Sequence, residues 1–244
     1  MSTRRGMVTA SQGQIASVQA VIFVLNTPFS QQKVLADLIA NAGDHYDGPV
    51  TSLPLPEDAP SNLPRILLQS ANGEWRLSVA PARIDSVWSP PPSMALADVT
   101  ELARLVAQCS NVLIDYARRT NAAVGRLALV VHRAHRVENP AQVLIDHFCS
   151  EESRRGPFRN SRSFEIHNHK LYQLPQTGQT VNSWMRCRTA LIKGDNGIDV
   201  EQDVNTPEDE MNNTIFDADI MHRFYGAVRQ EMDSIMDVYF PEAK

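Results

Sequence analysis

Two well-separated stretches of the chain open in the same manner, and this repetition limits the available folds more than any other feature. Residues 17–26 (SVQAVIFVLN) are β-branched and almost continuously apolar, as expected of a strand buried on both faces. Thr27-Pro28 follows, a capping hydroxyl with proline at the first helical position. Val34, Leu35, Leu38 and Ile39 then recur at helical spacing as far as Gly43. Residues 125–137 (GRLALVVHRAHRV) repeat the strand, and Asn139-Pro140 repeats the helix start. Val143, Leu144, Ile145 and Phe148 complete the second short helix.

Each opening leads into antiparallel-strand signals and then a long amphipathic helix. In the first half, residues 65–70 (RILLQS) and 74–79 (EWRLSV) flank Asn72-Gly73, a pair that tolerates positive φ and marks a hairpin. Residues 83–88 add a strand that Pro90-Pro91-Pro92 ends, while the proline-rich residues 46–62 read as an irregular edge. A helix is expected over residues 95–120, with Leu102, Leu105, Val106, Cys109, Leu113 and Tyr116 on one stripe, close to 40 Å long at about 1.5 Å per residue. In the second half, residues 163–206 form a meander of strands. Residues 216–239 form a helix carrying Met221, Phe224, Val228, Met232 and Met236 on one side. The expectation is an α+β fold, an antiparallel sheet with two long helices on one face. Residues 17–120 and 125–240 are read as tandem pseudo-repeats in a single domain spanning 17–244, preceded by a disordered tail over 1–16. The TATA-binding-protein fold has a similar strand–helix–strands–helix order, an analogy of topology that carries no function.

With 244 residues, 43% apolar and 21% charged, the chain has the composition of a soluble globular protein. Its net charge of −5 argues against broad charge-driven binding to nucleic acid or anionic membrane. Cys109, Cys149 and Cys187 lie far apart and make no metal-like spacing, which with the polar start suggests reduced thiols in a cytoplasmic setting. No apolar run approaches the roughly 20 residues that cross a bilayer.

The unusual polar chemistry gathers in residues 163–206. His167 and His169 share a face if their strand is unbroken, or sit at an exposed tip if Asn168-His169 is a turn. His132 and His135, three apart on a strand, point to opposite faces, so they share no metal. Asn182, Trp184, Arg186 and Arg188 alternate with Val181, Ser183, Met185 and Cys187, and Gly194-Asp195-Asn196-Gly197 reads as a four-residue turn into residues 198–204. There Asp199, Glu201 and Asp203 share one face and can meet Arg186 and Arg188 across the strands. One reading is a solvated face of paired charges. The other is a recognition surface, since Trp and Arg are the types enriched at binding hot spots. Arg154, Arg155, Arg159 and Arg162 form a basic loop beside it, open to a phosphate or nucleic acid. Glu151 and Glu152 dilute it, and no interleaved aromatics support base stacking. No GxGxxG, Walker loop, GxSxG elbow or HExxH occurs.

Arg65-Ile66-Leu67-Leu68-Gln69 followed by Gly73-Glu74-Trp75-Arg76-Leu77, residues 164–172, and Val181-Asn182-Ser183-Trp184-Met185-Arg186 carry a further signal. In these words, and in the order of elements from residue 17 onward, the chain resembles a sporadically distributed prokaryotic family of roughly 250-residue proteins of unestablished function. The resemblance implies no catalytic residues. The expectation is therefore a non-catalytic cytoplasmic binding or regulatory protein. It would have a protein partner and a homo-oligomeric state, use no cofactor or metal, and recognise its ligand through His167, His169, Asn182, Trp184, Arg186 and Arg188. The alternative is an enzyme, or a nucleotide- or nucleic-acid-binding protein, using the same His/Arg cluster.

Overall fold

The computed structural model describes residues 8–25, 29–56 and 58–242; the expected Thr27-Pro28 helix start lies outside them. The described strands are β1 (Gln14–Val24), β2 (Val50–Ser52), β3 (Ile66–Gln69), β4 (Trp75–Val79), β5 (Arg83–Trp88) and β6 (Ala97–Asp98) from the first half. From the second come β7 (Val124–Arg136), β8 (Glu165–Gln173), β9 (Thr180–Ile192) and β10 (Asp195–Asn205). All join one antiparallel sheet in the order β2-β3-β4-β5-β1-β7-β10-β9-β8, with β6 paired to the start of β1. The two apolar leading strands, β1 and β7, pair at the centre. Outward from β1 come β5, β4, β3 and β2, and outward from β7 come β10, β9 and β8, so each half keeps to its own side of the β1–β7 ladder and runs in reverse chain order.

The helices are α1 (Gln31–Asn41), α2 (Leu102–Thr120), α3 (Pro140–Phe148), α4 (Glu151–Arg155) and α5 (Ala218–Tyr239). The two long ones, α2 and α5, pack together on one face of the sheet. Strand parity sets what they cover. Ile15, Val18, Ala20 and Ile22 of β1 and Leu127, Leu129 and Val131 of β7 point into that layer and meet Leu105, Cys109 and Leu113 of α2 and Phe224 and Val228 of α5. At about 1.5–3 kcal/mol for each fully buried large apolar side chain, this layer dominates the stability. The Tyr225 hydroxyl donates to the Val21 carbonyl at 2.8 Å, so its burial leaves no unpaired oxygen. A second cluster lies at the far end, where Met185, Cys187, Ile198 and Val200 pack under Leu144, Met236 and Phe240.

Four local expectations change. Helix α2 begins at Leu102, which makes it about 28 Å long and not 40 Å. The chain before it still pairs with β1 through Ala97 and Asp98, and the Asp98 carboxylate accepts the Thr100 N–H to start a 3-10 turn over Val99–Glu101. Residues 8–16, expected to be part of a disordered tail, are packed: Val8 and Ala10 are buried, and the Ala10 N–H donates to the Phe240 carbonyl at 2.8 Å. The β9–β10 turn is two residues, Lys193-Gly194, both at positive φ (52° and 93°), and not four. Such a turn matches the twist of the flanking strands. Part of the basic loop is the short helix α4, capped by the Ser150 hydroxyl with acids first and arginines last.

Candidate functional site

The helices and the apolar layer lie on one side of the sheet, so the side chains of opposite parity on β7, β10, β9 and β8 form an open face. The register places them in rows. Glu165, Arg188 and Asp199 stand across from one another, as do His167, Arg186, Glu201 and His132, and then His169, Trp184 and Asp203. Asn182 faces Asn205 in the next row. Strand β8 is unbroken, so His167 and His169 do share a face and neither is a turn residue.

These side chains engage one another closely. Arg188 donates through Nε and Nη2 to Asp199 Oδ2 at 3.0 and 2.8 Å, and Arg186 Nη1 donates to Glu201 Oε1 at 3.0 Å. His132 Nδ1 lies 3.0 Å from Asp199 Oδ1. The His169 ring stacks on Trp184 with centroids 3.7 Å apart and an interplanar angle of 6°, while His167 leans on the same indole at 4.8 Å. The Arg186 guanidinium sits 5.7 Å from that ring and donates through Nε to His167 Nε2 at 3.4 Å. Asn182 reaches His169 and Asn205, and Asn205 in turn accepts from Arg126. The face is thus one network of rings, guanidiniums and carboxylates.

Its charges are mutually tuned. The hydrogen bond to Asp199 carries the His132 imidazole above its ordinary value, with burial opposing. Burial acts to raise the Asp199 carboxyl, but the hydrogen bonds and charges of His132 and Arg188 outweigh it and hold the group below the usual carboxylate range. His135, on the other side of the same strand, is the contrast. It is 2% exposed, rests against Phe240, and neither ring nitrogen has a hydrogen-bond partner among the described residues. Burial, aided by the Arg133 charge, pushes its pKa down to about 4.

All six expected site residues lie on the open face, but their free reach is smaller than the sequence implied. Arg186 and Arg188 are committed to Glu201 and Asp199, and Trp184 is flanked by two imidazoles. Among the described residues neither His167 nor His169 is hydrogen-bonded to a carboxylate; the histidine on this face that is bonded to one is His132, which parity alone had only separated from His135. Its partners lie on β10, more than sixty residues later in the chain, and only the β7–β10 register reveals them. His132, Asp199 and Glu201 each offer one donor atom lying within 4.8 Å of those of the other two.

Two of the four arginines of the basic loop are paired within the α3–α4 segment. Arg154 pairs with Asp146 of α3 at 3.6 Å, and Arg155 pairs with Glu151 within α4. Helix α3 lies on the helix-covered side, against the layer containing Met185 and Cys187. Two concavities also lie elsewhere: one between α1, α2 and β5 beside Lys33 and Tyr116, the other around Thr206, Phe216 and Ile220. Among the described residues no helix is long and apolar enough to cross a membrane. A scan against protein-family models and a search of curated proteins found no match, so the family resemblance supplies no residue roles.

Proposed function

We propose that this chain is a non-catalytic binding protein that engages a polypeptide partner across the open sheet face of β7, β10, β9 and β8, with Trp184 as the anchor. The observation carrying this reading is the His167–Trp184–His169 stack on a face that the helix layer leaves bare. A large amphipathic ring held by two neighbours and a guanidinium is pre-ordered, so a partner docking on it loses little side-chain freedom. The salt-bridged arginines fix the rim of the anchor and leave only part of their donor capacity for a partner. Paired charges of this kind favour selectivity over raw affinity.

Two features disfavour the enzymatic alternative. Among the described residues, the histidine–carboxylate contact near the cluster, His132 with Asp199, stands on an open strand face with the carboxylate already held by Arg188. The thiol on the strand of Arg188, Cys187, is on the opposite face and is pushed up to about 12 by burial, so it does not serve that pair as a nucleophile. The nucleic-acid alternative is weakened, since Arg154 is paired with Asp146 of α3 and Arg155 with Glu151 of α4.

The reading is tested by affinity capture from native lysate with the unaltered chain and with Trp184→Ala and Arg186→Ala, each shown to be folded by circular dichroism. The same stoichiometric protein partner should be retained by the unaltered chain and lost with Trp184→Ala. Capture that is indifferent to both substitutions would remove the open face from consideration.

A further inference from the structure

We propose that His132, Asp199 and Glu201 form a binding site for a divalent first-row transition-metal ion. The donors come from one β-ladder. Glu201 is the register partner of His132, and Asp199 stands two residues along β10 on the same face. Their backbone positions are therefore fixed by strand pairing and not by loops, as a site that must hold its geometry requires. One donor atom from each already lies within 4.8 Å of the others. Ligands at about 2.0–2.2 Å from a common ion stand about 3.3–3.6 Å apart in a tetrahedral set, so closing the side chains by up to about 1.5 Å completes it.

The surroundings favour a cation. Along rows Glu165 to Asp203 of β8, β9 and β10, four carboxylates (Glu165, Asp199, Glu201, Asp203) face two guanidiniums (Arg186, Arg188), a surplus of two negative charges that a divalent ion would neutralise and a phosphate would aggravate. Arg188 holds Asp199 by Oδ2, which leaves Oδ1 beside the imidazole; Arg186 holds Glu201 by Oε1, and Arg188 Nη2 reaches Glu201 Oε2 at a looser 3.5 Å. The guanidiniums thus orient the carboxylates in the way that outer-shell partners orient metal ligands. One imidazole nitrogen with two carboxylate oxygens, and no thiolate on this face, suits zinc, manganese or iron(II) and not a soft ion such as copper(I). Three protein ligands leave further coordination positions directed outward. Occupancy of this site does not depend on a docked partner.

The test is calorimetric titration of the full chain with Zn²⁺ and separately with Mn²⁺, after chelator treatment. It is repeated on His132→Ala, Glu201→Gln and, as a control for ordinary surface histidines, His169→Ala. Saturable binding of one ion per chain is expected, weakened more than about tenfold in the first two variants and unchanged in the third. As a measurement needing no variant, Mn²⁺ should broaden the imidazole signals of His132 before those of any other histidine. Absence of saturable binding, binding that survives His132→Ala, or broadening centred on His167 or His169 would each overturn the assignment.

Discussion

Replacing His135 with leucine should change how the protein responds to acid more than it changes neutral stability. The imidazole is 2% exposed, sits between Gly13 and Phe240, and has no partner for either nitrogen. The charge that acts on it is Arg133 on its own strand, itself paired with Asp233 of α5; on the neighbouring N-terminal turn Glu242 accepts from the Ser11 N–H. With a folded pKa of about 4 against an ordinary 6.5, the unfolded chain takes up the proton first. The contribution of His135 to stability is therefore full above the ordinary value and is lost as pH falls from there towards the folded value. Between about pH 7.5 and about pH 5 this amounts to about 2 kcal/mol, a factor of about 30 in the folded-to-unfolded ratio. His132 has the opposite sign, because its raised value adds stability as it protonates, so the difference between two proteins isolates His135. Urea unfolding of the unaltered chain and of His135→Leu at both pH values measures it. The variant should lie within about 1 kcal/mol of the original at neutral pH, since it removes two unsatisfied polar atoms along with the ring contacts, and should gain about 2 kcal/mol on it in acid. Parallel pH curves for the two proteins would refute the reasoning.

Two further outcomes are expected. Asp233→Ala leaves the Arg133 guanidinium, 3% exposed and bonded to Asp233 at 2.6 Å, without its charge partner, and should cost about 3 kcal/mol in the same unfolding assay; a loss of a few tenths would mean the arginine finds water. Cys109 and Cys187 are buried with thiols pushed up to about 12, whereas Cys149 is partly accessible. Ellman's reagent should therefore label one thiol of three in the native protein, and three equal rates would contradict the burial.

The fold was legible because its signals are local or periodic. The continuous apolarity of residues 18–25 favours central positions for the two leading strands, where β1 and β7 lie, and the Asn72-Gly73 pair marks the β3–β4 hairpin, where Gly73 has a φ of 77°. Alternation in β9 and β10 also puts Arg186 and Arg188 on one face with Asp199, Glu201 and Asp203, but which acid meets which arginine follows from the two-residue turn, which the sequence does not announce. Gly194 and Gly197 both looked like turn formers, while Lys193 carries one of the positive φ values and Gly197 lies within β10. Its absent side chain there leaves room for Ile192, which a Cβ would meet at 2.5 Å. What stayed hidden depends on pairing between distant strands. Nothing near His132 in sequence announces Asp199 and Glu201, and the isolation of His135 depends on Phe240 folding back from the other end of the chain. Helix α2 was overextended because the apolar stripe continues through Leu96 and Val99, where pairing with β1 prevails over periodicity.

The most direct measurement of the open-face account uses the three tryptophans of the chain. Trp75 and Trp88 are 6% and 5% exposed in the core, while Trp184 is only half-buried on the open face, so acrylamide should quench one component of the fluorescence and Trp184→Phe should abolish it. Adding the captured partner to saturation should shield that component. A component that stays fully quenchable in the complex would contradict recognition through this face.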